Sequence, residues 1–428
     1  MRLDAADDAA TPVLRDAGDC AREALDRRLL SSGKRPVMVA FSGGGDSLAL
    51  LLIAQGWARR AGREVVAVTV DHGLNPQSPA WTAACAATAA RLDVGFERLA
   101  WLGPKPATGL PAAARAARHR LIAEAARSLG ARVILMGHTA DDVLEARAMR
   151  AAGATTPEPR DWAPSPVWPQ GRGLFVLRPL LGLRREDLRR WLRMRGESWI
   201  EDPANADPRY ARVRARAVTS GAPGRVTPDE PAVLGLGETI TEDAGVLSLS
   251  RQAFRDAPGG EADRVLAIAC VCAGGGERRP AGARVARLAA QIRGGEAVAA
   301  SLAGARVEAD PMTIRISREP GEARRGGLAQ VVLPVGEPVI WDGRYRLKAR
   351  QAGLVVRRLA GCAARLPGDQ RQALNAVPAR ARGALPAIID AEGTVSCPVL
   401  APMAGVKVKS LVAKRLRAAC GLVTRELV

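Results

Sequence analysis

The chain has 428 residues, 63 Lys+Arg against 44 Asp+Glu, and a net charge of +19. That length accommodates two or three domains with sizeable cores, while no apolar run approaches the ~20 residues of a membrane span. The acidic start, with Asp4, Asp7 and Asp8, lacks the apolar core of a secretory signal, and seven scattered cysteines without a C-x-x-C pair argue against a disulfide framework or a zinc site, so a reduced, cytoplasmic protein is expected.

In chain order, the apolar run beginning at Val37 ends in the glycines of Phe41-Ser-Gly-Gly-Gly-Asp-Ser47, and a second apolar run, Leu48 to Ile53, follows at once. This reads as a strand, a turn and a helix. Gly43, Gly44 and Gly45 let the backbone approach an anion, and Ser42 and Ser47 add hydroxyl donors. Asp46 adds a carboxylate able to orient Mg²⁺ or a nucleophile. The P-loop spacing fails because no lysine follows the glycines, and the dinucleotide fingerprint fails because its third glycine falls at Leu48.

Strand-then-helix units continue. Val65–Val70 reads as a strand, Ala80–Leu92 as a helix and Gly95–Trp101 as a strand. Pro111–Leu129 reads as a helix opened by proline, Val133–Met136 as a strand and Asp141–Arg150 as a helix. Such alternation predicts an α/β fold with a doubly wound, mainly parallel sheet, its site at the carboxyl ends of the strands. Asp71-His72-Gly73 and Gly137-His138-Thr139-Ala140-Asp141-Asp142 follow two of those strands. Together with Ser42–Ser47 they compose a carboxylate-and-histidine site suited to Mg²⁺ and ATP; no H-x-x-x-H or cysteine cluster supports zinc.

The Pro- and Trp-rich stretch Ala154–Gly173 is expected to be a flexible loop near the site. Residues 221–320 show helical periodicity, and residues 325–428 mix short β-like runs with the basic tail Val406–Arg417. The expected domains are therefore 1–217, catalytic; 218–324, helical; and 325–428, a small basic α/β domain. Net charge is 0 over residues 1–100, +9 over 101–220, −1 over 221–339 and +11 over 340–428. Two basic blocks point to a polyanionic partner larger than ATP.

The loop S-G-G-G-D-S resembles the signature of the PP-loop ATP pyrophosphatases, which cleave ATP to AMP and pyrophosphate while adenylating a substrate oxygen. The ordered series S-G-G-G-D-S, V-D-H-G-L-N-P, A-R-A-A-R-H, G-H-T-A-D-D-V-L-E and E-D-P-A-N-A-D-P-R-Y-A-R-V-R, spanning roughly residues 35–216, closely resembles the tRNA(Ile)-lysidine synthetases. Ile340-Trp-Asp-Gly-Arg-Tyr-Arg346 looks like the start of that family's C-terminal domain. The resemblance implies ligation of L-lysine to the wobble cytidine of an isoleucine tRNA with a CAU anticodon, through an adenylated cytidine. A homodimer remains compatible with it.

The resemblance also implies roles for individual residues. Asp46 and Asp141 would hold Mg²⁺, Arg115 and Arg118 would clamp phosphates, and His138 would orient the α-phosphate or assist proton transfer. Ser42 to Ser47, Asp71, His72 and Gly137 would bind ATP, while Asp142, Glu145, Arg212 and Arg214 would contact lysine or cytidine. Three positions depart from the usual pattern: Thr139 stands for Asn, Ala151-Ala-Gly153 for glycine-serine-glycine, and Arg212-Val-Arg214 for R-N-R. The alternatives are a related tRNA thiolase, which would need more than Cys85 near the loop, and a non-catalytic RNA-binding relative, which would be expected to lose Asp46 or the His138–Asp142 cluster.

Overall fold

The computed structural model describes residues 16–154, 158–167, 169–203, 211–219 and 233–427. Most of the E-D-P-A-N-A-D-P-R-Y motif, at 204–210, lies outside them. The chain divides into two compact units, one of Met1–Trp162, Leu174–Glu230 and Arg425–Val428 and the other of Ala163–Gly173 and Pro231–Thr424.

The first unit contains α1 (Ala17–Arg28), β1 (Val37–Ala40), α2 (Gly45–Ala61), β2 (Val65–Asp71), α3 (Ser78–Arg91), β3 (Gly95–Ala100), α4 (Leu110–Ser128), β4 (Val133–Met136) and α5 (Ala140–Ala151). Then come β5 (Trp162–Pro164), of which Trp162 belongs to this unit, β6 (Phe175–Leu177), α6 (Arg185–Arg193) and α7 (Ala211–Thr219). The sheet runs β3-β2-β1-β4-β6-β5, and the pairs β1–β2, β2–β3, β1–β4 and β4–β6 are parallel. Central strands β1 and β4 are almost wholly buried Val, Ile, Leu and Met, as helices on both faces require. Val39 pairs with Ala67 on one side and Leu135 on the other, so the strand order reverses between β1 and β4. A doubly wound sheet opens its ligand crevice at that reversal.

Most expected boundaries shift by one or two residues, and two differences bear on the site. Helix α2 begins at Gly45, three residues before the apolar run, which puts Asp46 and Ser47 in its first turn. The stretch 154–173 is more ordered than a loop where it is described. It contributes β5 and a turn of 3-10 helix at Gln170–Arg172, Trp162 stacks on Phe175 with ring centroids 4.8 Å apart, and Glu158 pairs with Arg147 and Arg150.

The second unit corrects the expectation of a helical middle segment. Residues 241–318 form β7 (Thr241–Asp243), β8 (Val246–Ser250), α8 (Arg251–Asp256), α9 (Gly259–Ala273), α10 (Gly282–Gly294), β9 (Val298–Leu302), β10 (Ala305–Ala309) and β11 (Thr313–Arg318). The strands make an antiparallel sheet, β7-β8-β11-β10-β9. Alanine-rich strands such as Ala305-Arg-Val-Glu-Ala309 look helical by composition. Their alternating burial and the tight hairpin at Ala303-Gly304, with φ of 50° and 76°, settle them as β.

Beyond them lie β12 (Val331–Val332), β13 (Pro338–Trp341), β14 (Tyr345–Ala349), β15 (Val355–Arg358), α11 (Gly368–Leu374), α12 (Ala379–Arg382), β16 (Pro386–Ile389), β17 (Val395–Ser396), β18 (Val406–Ser410) and α13 (Val412–Ala419). They form the sheets β12-β15-β16-β17 and β13-β14-β18. The basic tail is thus a strand and a helix, and α13 buries Val412 and Leu416 in the same core as α9. That shared core is why residues 231–424 cluster together with no break at 324/325.

Candidate active site at the sheet edge

The glycine turn after β1 is shaped by close packing. Gly43 has φ of 79°, and a Cβ there would collide with Cδ1 of Ile200, whose amide donates to the Gly43 carbonyl at 2.9 Å. Only glycine meets both demands. Gly44 caps α2 without a side chain, leaving the positive end of the helix dipole uncovered by any capping group. Ser47 Oγ donates to the Gly44 carbonyl at 2.8 Å and accepts from the Ser42 amide at 3.2 Å. Across the reversal, Gly137 lies so close that a Cβ would come within 3.1 Å of the Asp46 carbonyl oxygen. The β1 and β4 ends therefore form one crevice.

Arg185, at the start of α6, gathers the carboxylates. Its Nε donates to Asp46 Oδ2 at 3.0 Å, its backbone amide to Asp141 Oδ2 at 2.7 Å and its Nη1 to Glu145 Oε1 at 3.3 Å. Arg184 pairs with Asp141 Oδ1 at 2.9 Å. Arg212 on α7 reaches Glu145 Oε2 at 2.8 Å and Asp142 Oδ1 at 2.6 Å, and Arg216 reaches Glu145 Oε1 at 2.9 Å. Glu145 is 1% exposed, which these three arginines make tolerable. Burial raises the Asp46 carboxyl above its ordinary value even though Arg185 opposes it. Burial works against the Arg185 charge, but Asp46, Asp142 and Glu145 hold that guanidinium protonated beyond its usual range.

Thr139 and Asp142 form a capping box at the start of α5, with the Thr139 amide donating to Asp142 Oδ2 at 2.7 Å and its hydroxyl to the same atom at 3.0 Å. Thr139 thereby fills a hydrogen-bonding position despite departing from the usual asparagine. Asp142 is correspondingly committed to the helix cap and Arg212.

A cationic rim surrounds the histidines. Burial, then the charges of Arg178, Arg212, Arg118 and Arg115, push His138 well below its ordinary value. His119 is pushed down to about 3 by burial and then Arg118, Arg115 and Arg178. Burial, followed by Arg115 and Arg212, lowers Arg118 to about 10, and its buried Nε has no partner among the described residues. Arg212 is paired with Asp142 and Glu145, but the concentration of four guanidinium groups around Arg118 is suited to an anion. After β2, Asp71 Oδ1 accepts from the Gly73 amide at 2.8 Å, and the His72 ring lies edge-on to Trp101 at 6.2 Å. Arg214 is exposed on α7.

The expected Mg²⁺ carboxylates belong to this one network, yet no group of three or more His, Cys, Asp or Glu suited to a metal occurs among the described residues. Mg²⁺ commonly takes one or two carboxylates plus substrate phosphates and water. The oxygen donors of Asp46 and Asp141 fit that mode, and the described residues offer no all-protein cage.

Three contributors escaped the sequence reading: Arg178, Arg184 and Arg185. Each had a signal. Phe175-Val-Leu177 is a buried strand that delivers Arg178 at its carboxyl end, as the other strands deliver their polar residues. Arg184-Arg185 stands directly before the acidic first turn of α6, Glu186-Asp187.

The sheet order, glycine turn and carboxylate–arginine crevice define a PP-loop nucleotide-using enzyme, and the sequence pattern of the PP-loop domain matches residues 20–220. The tRNA(Ile)-lysidine synthase of Caulobacter vibrioides is 46% identical over 419 residues, covering 96% of this chain and 99% of the relative. That of Hyphomonas neptunium is 36% identical over 340 residues, covering 74% and 91%. A U34-tRNA thiolase from Methanococcus maripaludis aligns in structure with a TM-score of 0.40 and 14% identity, over 47% of this chain and 71% of the other. The chain belongs to the tRNA(Ile)-lysidine synthase family.

Proposed function

We propose that this chain ligates L-lysine to the wobble cytidine of isoleucine tRNA bearing a CAU anticodon. The cytidine carbonyl oxygen attacks the α-phosphate of ATP, and pyrophosphate leaves. The lysine amine then attacks the activated carbon, loses a proton, and AMP departs with the oxygen. Activation is needed because a ring carbonyl oxygen is a poor leaving group, whereas AMP is a good one. The observation that carries this reading is 46% identity to a lysidine synthase over 96% of this chain, combined with an intact crevice joining Ser42–Ser47 to the Arg185 carboxylate network.

In this reading Ser42–Ser47, Asp71, His72 and Gly137 receive ATP, and Arg115 and Arg118 take the charge that develops on the departing pyrophosphate. Asp46 and Asp141 would hold Mg²⁺, which neutralises phosphate charge when bound. Glu145, Arg212 and Arg214 receive lysine and the cytosine, with Asp142 holding Arg212 in place for them. Residues 1–217 serve catalysis, and 325–428, with their basic surface, grip the tRNA.

Mass analysis of nucleosides from isoleucine tRNA incubated with the protein, ATP and lysine tests the reaction. A cytidine heavier by one lysine less one water is expected, with AMP and pyrophosphate formed. ADP as the main nucleotide product overturns the PP-loop chemistry.

A further inference from the structure

His138 follows β4, and its role turns on where its ring proton sits. Arg178, delivered by the end of β6, donates from Nε to His138 Nδ1 at 3.2 Å. A guanidinium has donors only, so the Nδ1 atom it meets must carry the lone pair. In a neutral imidazole the proton is then on Nε2. Arg178 is itself fixed: its Nη1 donates to the Arg160 carbonyl at 2.8 Å, and its backbone amide to the Asp161 carbonyl at 2.8 Å. Asp161 in turn accepts from Arg28 Nε at 3.0 Å. The guanidinium thus has a second anchor and cannot turn away without losing it.

We propose that Arg178 is a positioning residue, whose bond to Nδ1 locks His138 as the neutral Nε2–H tautomer, so that His138 meets the nucleotide phosphate as a hydrogen-bond donor and does not act as a general base. A base role would need a free lone pair, and the one His138 possesses is taken by Arg178. The surroundings agree. Arg115 and Arg118 on α4, Arg212 on α7 and Arg178 all disfavour a charged ring, as does burial, while Asp142 at the start of α5 is engaged by Thr139 and Arg212. The proton released by the lysine amine must leave by another group or by solvent. The donor assignment to a phosphate rests on the lysidine synthase reading; the tautomer does not.

Long-range nitrogen–proton spectra of the full chain, labelled at histidine, read the tautomer directly. Only three histidines are present, so His72→Gln and His119→Gln variants assign the signals. His138 is expected to show the Nε2–H pattern throughout roughly pH 6 to 8 without titrating. An Nδ1–H pattern, or an imidazolium, overturns the proposal. Arg178→Met should admit the second tautomer and lower kcat for AMP formation about tenfold or more, with KM for tRNA nearly unchanged. Arg178→Gln, which keeps a donor, should restore both the spectrum and most of the rate. An unchanged spectrum in Arg178→Met, or a rise in KM alone, overturns the positioning role. If wild-type protein formed no AMP the lysidine reading would fail, and the spectra would still decide the tautomer.

Discussion

At the scale of single residues, the site is a set of charges that hold one another in place. Asp46 lies in the first turn of α2, against Arg185, and is assigned to ATP rather than to tRNA. Asp46→Ala or Asp141→Ala should therefore abolish modification while tRNA affinity stays within a few fold; loss of tRNA binding with turnover kept at saturating tRNA contradicts the assignment. His119 yields a second expectation. Its value falls from an ordinary 6.5 to about 3, so below about pH 6.5 the unfolded chain takes up a proton that the folded chain refuses. Stability is complete above that pH and declines as pH falls toward 3. His138, shifted the same way, adds to the slope. Urea unfolding of His119→Leu should show a shallower decline between pH 6.5 and 4 than the parent. An identical slope would show that the His119 shift is not expressed in stability.

At the scale of elements, the exposed face of β14 and β18 carries the most specific charge arrangement outside the crevice. Arg346 sits directly opposite Lys409, and Lys348 opposite Lys407, all four exposed. On the other side of β14 the partners are Ile340 and Pro338. Like charges directly opposed are destabilising, a cost that a phosphate backbone relieves. Changing all four to Gln should leave thermal stability equal or higher while weakening tRNA binding and flattening its salt dependence, each lost phosphate contact removing about 0.9 from the log–log slope for duplex. An unchanged slope would leave recognition to the basic residues of 101–220. The sequence located this surplus but not its form: the periodicity of Val406-Lys-Val-Lys-Ser410 was legible as alternation, yet its partner strand lies about sixty residues earlier. Register is a tertiary fact. The same limit explains the middle segment, where alanine hid β9 and β10. In the first unit, by contrast, long Val/Ile/Leu runs bounded by glycine left little ambiguity, and the motifs at their ends fell where a parallel sheet puts them. Arg185 stayed hidden because its importance lies in reaching Asp46, 139 positions away.

At the scale of the whole molecule, the chain returns to its beginning. Glu426 belongs to the same compact unit as the parallel sheet, and its carboxylate meets Arg63 at 2.6 and 2.9 Å, with side chains 0% and 2% exposed. It also accepts from the Leu30 amide at 3.1 Å, while its own amide donates to the Arg28 carbonyl at 2.7 Å. Deleting residues 340–428 to test the basic segment would therefore strip the catalytic unit of a buried partner, and a loss of ATP binding would say nothing about tRNA. Breaking one half of a buried ion pair typically costs about 3–5 kcal/mol because the other charge is left uncompensated. Glu426→Ala in the full chain should lower the free energy of unfolding by that order, whereas the double change Arg63→Met with Glu426→Leu, which removes both charges, should recover much of it. Denaturant unfolding followed by tryptophan fluorescence reads the difference, since Trp57 lies within 5.7 Å of the Arg63 guanidinium. Equal midpoints for parent and Glu426→Ala would mean that the terminal segment contributes no stability to the unit, and the shorter chain would then be a fair test of catalysis without the basic face.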